Sequence, residues 1–300
     1  MPPMPLRGRE LSPPAEKEAS AKVALSLHRS GPCRHGFMFW LKRDAVIGRA
    51  LQLYGEFAES ENRLMARFLR AGDMALDVGA NIGTCTLAMA RAVGPNGLVH
   101  AFEPQALVFQ TLCANLAING LTQVRAWPWA VGEEAGTARI PVPALDTDEN
   151  FGAVQVQTTG HTEAVPLVRL DDIGIERAAL LKIDVEGMEL AVLRGAAALL
   201  QRCRPVVYFE AKKGFDDTVE CLKLLRNRQY RMWWHFARFY DTGNMRGNRE
   251  NVFPNQGDIN ALAVPVERVP ARFSQLPQID DPEADWENDY RRFHAAVGKA

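Results

Sequence analysis

Apolar and polar positions in the middle of the chain define two kinds of segment. Short, predominantly apolar runs occur at residues 74–78, 97–102 and 179–184, as is typical of parallel strands that are buried on both faces. Longer segments follow them, and in residues 82–93 the apolar side chains recur with helical spacing. Strands and helices that alternate in this way predict an α/β fold with a doubly wound parallel sheet.

The remaining segments continue this alternation. Pro128 interrupts a third apolar run and predicts an edge strand or a bulge, because proline cannot donate a hydrogen bond to a neighbouring strand. Short β-like runs at residues 137–142, 154–158 and 163–167 predict a hairpin insertion. We expect seven core strands, with one antiparallel strand at an end of the sheet. The further predicted strands are residues 124–131, 205–210, 230–235 and 258–264, and the further predicted helices are residues 48–69 (one or two helices), 107–119, 188–200 and 217–228.

Composition divides the chain into three predicted parts. Residues 1–47 begin with a proline-rich stretch and are expected to form a largely irregular N-terminal arm. Residues 48–270 are expected to form the α/β domain, and residues 271–300 a C-terminal tail. No apolar run is long enough to cross a bilayer, and the first residues lack a secretory signal. We therefore expect a cytoplasmic protein without a membrane span.

Charge and cysteine content narrow the range of partners. The formal net charge is −1, and the arginine pairs are scattered along the chain, so we expect no nucleic-acid partner. The five cysteines are an odd number and lack the close spacing of zinc sites or disulfide frameworks. The oligomeric state is not predicted from these features.

The glycine-rich segment after the first core strand carries a clear chemical signal. Asp77 ends the strand, and Gly79, Asn81 and Gly83 follow in a tight turn before the helix. Glycines let the backbone approach a ligand closely, and a helix N-terminus presents unpaired N–H groups. Asn81 suits such a turn because asparagine tolerates a left-handed backbone better than most residues. The segment therefore predicts a nucleotide-shaped ligand.

Charge distinguishes between two ligands of this shape. Glu103 ends the next strand, where a carboxylate can accept hydrogen bonds from both ribose hydroxyls. A pyrophosphate is repelled by carboxylates, whereas the sulfonium and ammonium groups of S-adenosylmethionine are attracted to them. Asp77 and Glu103 therefore favour S-adenosylmethionine as the cofactor. In addition, Asn81 and Thr84 replace two glycines of the dinucleotide pattern G-x-G-x-x-G.

A second acidic block follows the strand at residues 179–184. Asp184 and Glu186 come at the carboxyl end of this strand, the edge at which ligands of open α/β sheets bind. Methyl transfer to a hydroxyl group requires removal of its proton by a base or with the help of a metal. Glu186 is the candidate base. Asp184 is expected to orient the donor or acceptor, or to bind a divalent ion together with Glu210, and the need for a metal stays open.

Other roles remain open for residues near this block. Asp184 and Glu189 are also suited to cap the following helix, whose first turn favours negative charge. Lys182 is expected to point away from the site, because side chains alternate along a strand. Lys212 is an alternative base or substrate anchor, or an ordinary surface lysine.

Taken together, these motifs resemble the FkbM family of S-adenosylmethionine-dependent methyltransferases. The resemblance implies a class I, Rossmann-like methyltransferase fold and methylation of a hydroxyl group on a sugar, glycolipid or polyketide-type acceptor. It also implies that Glu103 binds the ribose, that Ala130 lies near the adenine, and that the methionine end is held by Asp77, Gly79, Asn81 and Gly83. The segments that carry it are residues 77–83, 102–104, 130–132 and 182–189.

Two other functions stay open from the sequence alone. A nicotinamide-dependent oxidoreductase acting on a nucleotide sugar would share the strand-turn-helix unit, although the broken G-x-G-x-x-G pattern argues against it. A non-catalytic, methyltransferase-like protein would bind the donor or a partner without turnover. The pair Asp184 and Glu186 argues against this second alternative, so the sequence favours an O-methyltransferase.

Overall fold

The computed structural model describes residues 27–142, 161–211, 216–270, 273, 276–283, 287–289 and 291. They contain a seven-stranded sheet, a three-stranded sheet and a two-stranded hairpin. The strands are β1 (His28–Cys33), β2 (Gly36–Leu41), β3 (Met74–Val78), β4 (Leu98–Phe102), β5 (Val124–Trp127), β6 (Ala130–Val131), β7 (Gly136–Pro141), β8 (Thr162–Val168), β9 (Leu180–Ile183), β10 (Val206–Glu210), β11 (Tyr230–Arg238) and β12 (Gly257–Pro265). The helices are α1 (Ile47–Tyr54), α2 (Glu59–Ala66), α3 (Thr84–Val93), α4 (Ala106–Ile118), α5 (Glu189–Gly195), α6 (Ala197–Cys203) and α7 (Asp216–Asn227), with 3-10 turns at Leu170–Asp172 and Val266–Arg268.

The large sheet has the strand order β11-β12-β10-β9-β3-β4-β5. This order confirms the predicted seven-stranded, doubly wound α/β fold. The direction of winding reverses between β3 and β9, and ligands of such sheets bind beyond the carboxyl ends of the strands at this point. One strand, β12, is antiparallel to both of its neighbours. β11 pairs with the outer side of β12 and forms the end of the sheet. The antiparallel strand, which was predicted at the end, is therefore one position further in.

Side chains of the central strands alternate between two apolar layers. In β3, Ala75 packs in the layer that contains α3 and α4, whereas its neighbour Leu76 packs in the layer that contains α5 and α7. Both faces of these strands are thus buried, which explains why the strands read as continuous apolar runs.

The chain leaves the large sheet at Pro128. β5 ends one residue earlier at the sheet edge, and β6 pairs in parallel with β8 in the small sheet. Residues 124–131, predicted as one strand, are therefore two strands in different sheets. The predicted hairpin is present as the antiparallel pair β7 and β8, while the strand predicted at residues 154–158 lies outside the described residues.

Residues 28–41 form a hairpin that packs on α4. Its backbone is held by two side chains of that helix, since Asn115 Oδ1 accepts a hydrogen bond from Phe39 N–H at 2.6 Å and Asn119 Oδ1 accepts one from Phe37 N–H at 2.9 Å. This part of the expected N-terminal arm is regular and not irregular. Residues 1–26 lie outside the described residues, and the boundaries at residues 48 and 270 stay predictions.

Helices and cysteines otherwise follow the expectations. The apolar segment before the core is two helices, α1 and α2, and the helix predicted at residues 188–200 is divided into α5 and α6. All five cysteines carry free thiols. Within the described ranges, no helix combines the length and the apolar character that a bilayer span requires.

Candidate functional site

A cleft opens at the carboxyl ends of the parallel strands. Its empty volume is about 1140 Å³, the mouth open to solvent included. Six of the eight predicted site residues line it, namely Gly79, Asn81, Glu103, Ala130, Asp184 and Glu186. The fold thus brings motifs from four separate strands to one site.

The other two predicted residues lie beneath the wall of the cleft. Asp77 is fully buried and accepts a hydrogen bond from Thr86 Oγ1 at 2.6 Å. Gly83 precedes α3 with a φ of 96°, and a Cβ atom at this position would lie 2.7 Å from Leu112 Cδ1. Both residues thus support the glycine turn from the protein interior. That they bind the methionine end of the donor stays a prediction.

Gly79 lies where the turns after β3 and β9 come closest. Its φ of 78° is left-handed, and its N–H donates a hydrogen bond to the carbonyl oxygen of Phe102 at 3.0 Å. A Cβ atom built here would overlap the carbonyl oxygen of Asp184. Glycine is required because it alone has both the conformational freedom and the lack of a side chain.

Glu103 holds the glycine turn in place. Its Oε2 accepts a hydrogen bond from Asn81 N–H at 2.9 Å, and its Oε1 accepts one from Gln105 N–H at 2.8 Å. Asn81 has a left-handed φ of 50°. A carboxylate offers about four acceptor positions, so Glu103 keeps capacity for ligand hydroxyl groups. Burial raises the pKa of Glu103 to about 7, although these backbone hydrogen bonds oppose the rise.

Lys182 points into the cleft, and the expectation that it points away was wrong. Its Nζ donates a hydrogen bond to the Gly79 carbonyl oxygen at 2.8 Å and lies 3.3 Å from Asp77 Oδ1 and 3.4 Å from Asp184 Oδ2. Residues two positions apart in a strand share a face, so Lys182 and Asp184 project from the same side of β9. The lysine therefore links the two acidic motifs.

The ammonium group of Lys182 balances the charge of Asp77. Burial lowers the pKa of Lys182, but the neighbouring carboxylates of Asp77 and Asp184 outweigh burial and raise that pKa well above its usual value. The lysine thus stays protonated while nearly fully buried. Consequently, Asp77 has a buried counter-charge in Lys182.

Carboxylates dominate the rest of the cleft wall. Lys182 is the one cationic side chain among the described residues that line it, against six acidic ones: Glu61, Glu103, Asp184, Glu186, Glu210 and Asp258. Such a wall attracts ligands that carry positive charge. Carboxylate oxygens of Asp184, Glu186 and Glu210 lie within 4.8 Å of one another. We assign no metal to this group, since acidic side chains also cluster without an ion.

The turn after β9 presents Glu186 in a strained conformation. Glu186 has a φ of 54°, a backbone conformation that residues other than glycine rarely adopt. The turn is held by Glu189, whose Oε1 accepts hydrogen bonds from the N–H groups of Val185 and Gly187, both at 3.2 Å. Glu189 therefore has a structural role, in that it stabilises the turn before α5. Lys212, the alternative base, lies outside the described residues.

Comparison with known families identifies the chain. The family model described as "Methyltransferase FkbM domain" matches residues 77–232, which include both acidic motifs. This chain belongs to the FkbM methyltransferase family. The motif-based expectation is thereby confirmed, and S-adenosylmethionine is the cofactor that the family and the cleft support.

Curated relatives of this FkbM-family chain are known from bacteria and fungi. "31-O-demethyl-FK506 methyltransferase FkbM" of Streptomyces tacrolimicus is 35% identical over 159 residues, which cover 42% of this chain and 60% of the relative. "Methyltransferase 1" of Beauveria bassiana (strain ARSEF 2860) is 31% identical over 142 residues, which cover 40% of this chain and 57% of the relative. The chain therefore spans less than two thirds of the length of these relatives.

The comparison with solved structures matches this chain to two methyltransferases, among others. Methyltransferase FkbM from Methylobacillus flagellatus KT gives a TM-score of 0.44 at 19% identity, covering 64% of this chain and 43% of that one. An S-adenosylmethionine-dependent O-methyltransferase from Thermotoga maritima gives a TM-score of 0.45 at 14% identity, covering 81% of this chain and 79% of that one.

Several residues of the FkbM-family cleft were not found from the sequence. Trp129 stacks on Trp127 with ring centroids 4.4 Å apart and lines the cleft beside Ala130, a position that adjacency to the Ala130 motif could have indicated. The others lie far from these motifs along the chain, and the sequence did not place them in the cleft. They are Val46, Ile47, Phe57, Glu61, Ile140, Phe239 and Asp258.

Stability should fall as the pH rises from about 6.5 to about 8. Burial raises the pKa of Glu103 to about 7 and that of Glu61 to about 8, so in this window the folded chain binds more protons than the unfolded chain. His235 has the opposite effect, because burial lowers its pKa to about 4. This effect makes stability rise with pH only below the ordinary histidine pKa of about 6.5, which is outside the window. Urea unfolding of the protein alone at several pH values tests this; a flat or rising free energy of unfolding above pH 6.5 contradicts it.

Proposed function

We propose that this chain is an S-adenosylmethionine-dependent O-methyltransferase that methylates a hydroxyl group of a sugar, glycolipid or polyketide-type acceptor. The observation that carries the proposal is the cleft, which is lined by the glycine turn, by Glu103 and by five further acidic side chains. The Streptomyces tacrolimicus relative is named for 31-O-demethyl-FK506, which supports transfer to oxygen.

The donor half of the proposed site lies over β3, β4 and β6. When bound, S-adenosylmethionine supplies a methyl group on a positively charged sulfur. The turn at Gly79 and Asn81 would receive the methionine end, and Glu103 would accept the ribose hydroxyls with the acceptor capacity left after its two backbone hydrogen bonds. Ala130 and Trp129 would contact the adenine, since apolar and aromatic surfaces suit a flat base.

The acceptor half lies toward the N-terminal helices and β10 to β12. Phe57 and Phe239 line it and reduce the access of water. A hydroxyl group that attacks the methyl carbon must lose its proton, and Glu186 is the candidate base on its left-handed turn. Asp184, which lies 3.4 Å from Lys182 Nζ, would orient the donor or the acceptor. Asp184 and Glu186 are thus the proposed catalytic residues.

Glu103→Gln should weaken S-adenosylmethionine binding by about tenfold. An amide has one acceptor oxygen, whereas Glu103 uses one oxygen for each of two backbone N–H groups, so the variant loses both charge and an acceptor. Isothermal titration calorimetry measures the affinity. The matched control is Glu133→Gln, because the side chain of Glu133 is 50% exposed and pairs with Arg194 away from the cleft. Equal affinity of the Glu103 variant and the wild type would remove Glu103 from the donor site.

Titration of the wild-type protein with S-adenosylmethionine and S-adenosylhomocysteine tests the function as a whole. We expect saturable binding of both, followed by transfer of a labelled methyl group to an acceptor in a panel of glycosides, glycolipids and macrolides. Absence of binding by either compound contradicts the proposal. Binding without transfer to any acceptor favours the non-catalytic alternative, and saturable binding of NAD alone favours the oxidoreductase.

A further inference from the structure

Glu61 is a buried carboxyl group in the cleft with no role in the function proposed so far. It lies on α2 and is 7% exposed. Its Oε1 accepts a hydrogen bond from Asn260 Nδ2 at 3.0 Å. The second oxygen, Oε2, makes no hydrogen bond within the described part of the chain, although Glu61 lines the cleft. The fold thus orients this carboxyl group and leaves one oxygen available to a ligand.

The groups around Glu61 do not neutralise it. Lys182 is the nearby cation, but its Nζ already lies against Asp77 and Asp184. No ion pair of Glu61 itself occurs among the described residues. The titratable and polar groups that act on it, or on which it acts, come from α3, from β9 with its following turn, and from β10 and β12. They are Cys85, Lys182, Asp184, Tyr208, Glu210 and Asn260.

Burial and the charge of Asp184 raise the pKa of Glu61 to about 8. An ionised carboxyl group that is buried without a counter-charge is costly. A cationic group in the cleft would remove part of this cost, and it would act on Glu61 with little solvent screening because the residue is buried. The site is therefore poised to favour a positively charged ligand.

The methyl donor and its product differ mainly in the positive charge on sulfur. S-adenosylmethionine and S-adenosylhomocysteine share the nucleoside and the amino acid, and only the donor carries a sulfonium. Glu103 and Gly79 are assigned to the shared parts and cannot distinguish the two. Asp184 is engaged with Lys182, and Glu186 and Glu210 are only half-buried, so solvent screens their charges more strongly.

We propose that Glu61 is the specificity-determining residue that makes the cleft prefer the sulfonium donor to its uncharged product. This inference rests on the proposed function, since it requires that both compounds bind. The consequence is favourable exchange of product for new donor after each transfer.

Glu61→Gln tests the role of the charge. The amide oxygen can still accept the hydrogen bond from Asn260, so the shape of the site is kept. At about pH 8.5 we expect the affinity for S-adenosylmethionine to fall by about tenfold, and that for S-adenosylhomocysteine to change by less than about twofold. Calorimetry on both compounds gives the ratio of the two dissociation constants. An unchanged ratio overturns the inference.

Two further measurements protect the test against a variant that does not fold. Glu61→Asp keeps the charge and should restore most of the preference for the donor. In the wild-type protein, the preference should rise between about pH 6 and about pH 9 as Glu61 ionises, and the rise should persist in Glu103→Gln because Glu103 is assigned to a part that both compounds share. A preference that stays constant with pH contradicts the role of Glu61. Failure of both compounds to bind the wild type contradicts the proposed function itself.

Discussion

Gly79→Ala is expected to destabilise the fold by about 3 kcal/mol or more and to abolish donor binding. The φ of Gly79 is 78°, and a Cβ atom there would overlap the carbonyl oxygen of Asp184. The overlapping atom belongs to the backbone, so relief requires the turns after β3 and β9 to separate. Urea unfolding followed by circular dichroism measures the loss of stability, and calorimetry measures donor binding.

Gly72→Ala is the matched control for this prediction. Gly72 also has a left-handed φ, 89°, but nothing lies within 4 Å of the position of its Cβ atom. Only the backbone strain remains, which costs about 1–2 kcal/mol. The difference between the two variants therefore isolates the close approach at Gly79. Equal losses of stability would show that backbone strain alone explains the requirement for glycine.

Lys182→Met is expected to destabilise the fold by about 3–5 kcal/mol. The substitution removes the cation that lies 3.3 Å from the fully buried Asp77 and the hydrogen bond to the Gly79 carbonyl oxygen. Asp77 would keep its hydrogen bond from Thr86 but would be left as a buried charge without a counter-charge. Because the same lysine holds the glycine turn, donor affinity should fall as well.

The loss caused by Lys182→Met should be larger at pH 9 than at pH 6. The carboxylates around Lys182 raise its pKa in the folded protein despite burial, so the lysine itself is protonated at both pH values. Lys182 also lowers the pKa values of Glu61 and Glu103, so at pH 9 the variant leaves more ionised carboxylates without this cation. Lys223→Met is the control, since Lys223 forms its ion pair with Glu283 at an exposed position and such pairs contribute little. A loss no larger than that of the control would contradict the role of the buried cation.

The parts of the fold that were predicted correctly have local causes. Strands β3, β4 and β9 are apolar on both faces because both faces are covered, and this is visible in any short window of the sequence. The glycine turn was predictable for the same reason, since a left-handed backbone at Gly79 restricts the residue type at that one position. Glu103 followed from its place at the end of β4.

The errors concern features that depend on distant residues. Whether residues 124–131 remain in one sheet depends on the pairing of β6 with β8, more than thirty residues later. The hairpin at residues 28–41 depends on side chains of α4. Glu61 enters the cleft because α2 packs beside the sheet.

The sequence by itself determined the alternation of core strands and helices, the glycine turn, and the acidic residues at the ends of β4 and β9, because each follows from burial or backbone conformation over a few residues. Only the tertiary structure decided how the charges are paired. Asp77 is neutralised by Lys182, while Glu61, contributed by a helix before the core, faces the cleft without an ion-pair partner among the residues that the structure describes. The physical reason is that the interaction of two charges depends on their distance and burial in space, which separation along the chain does not specify.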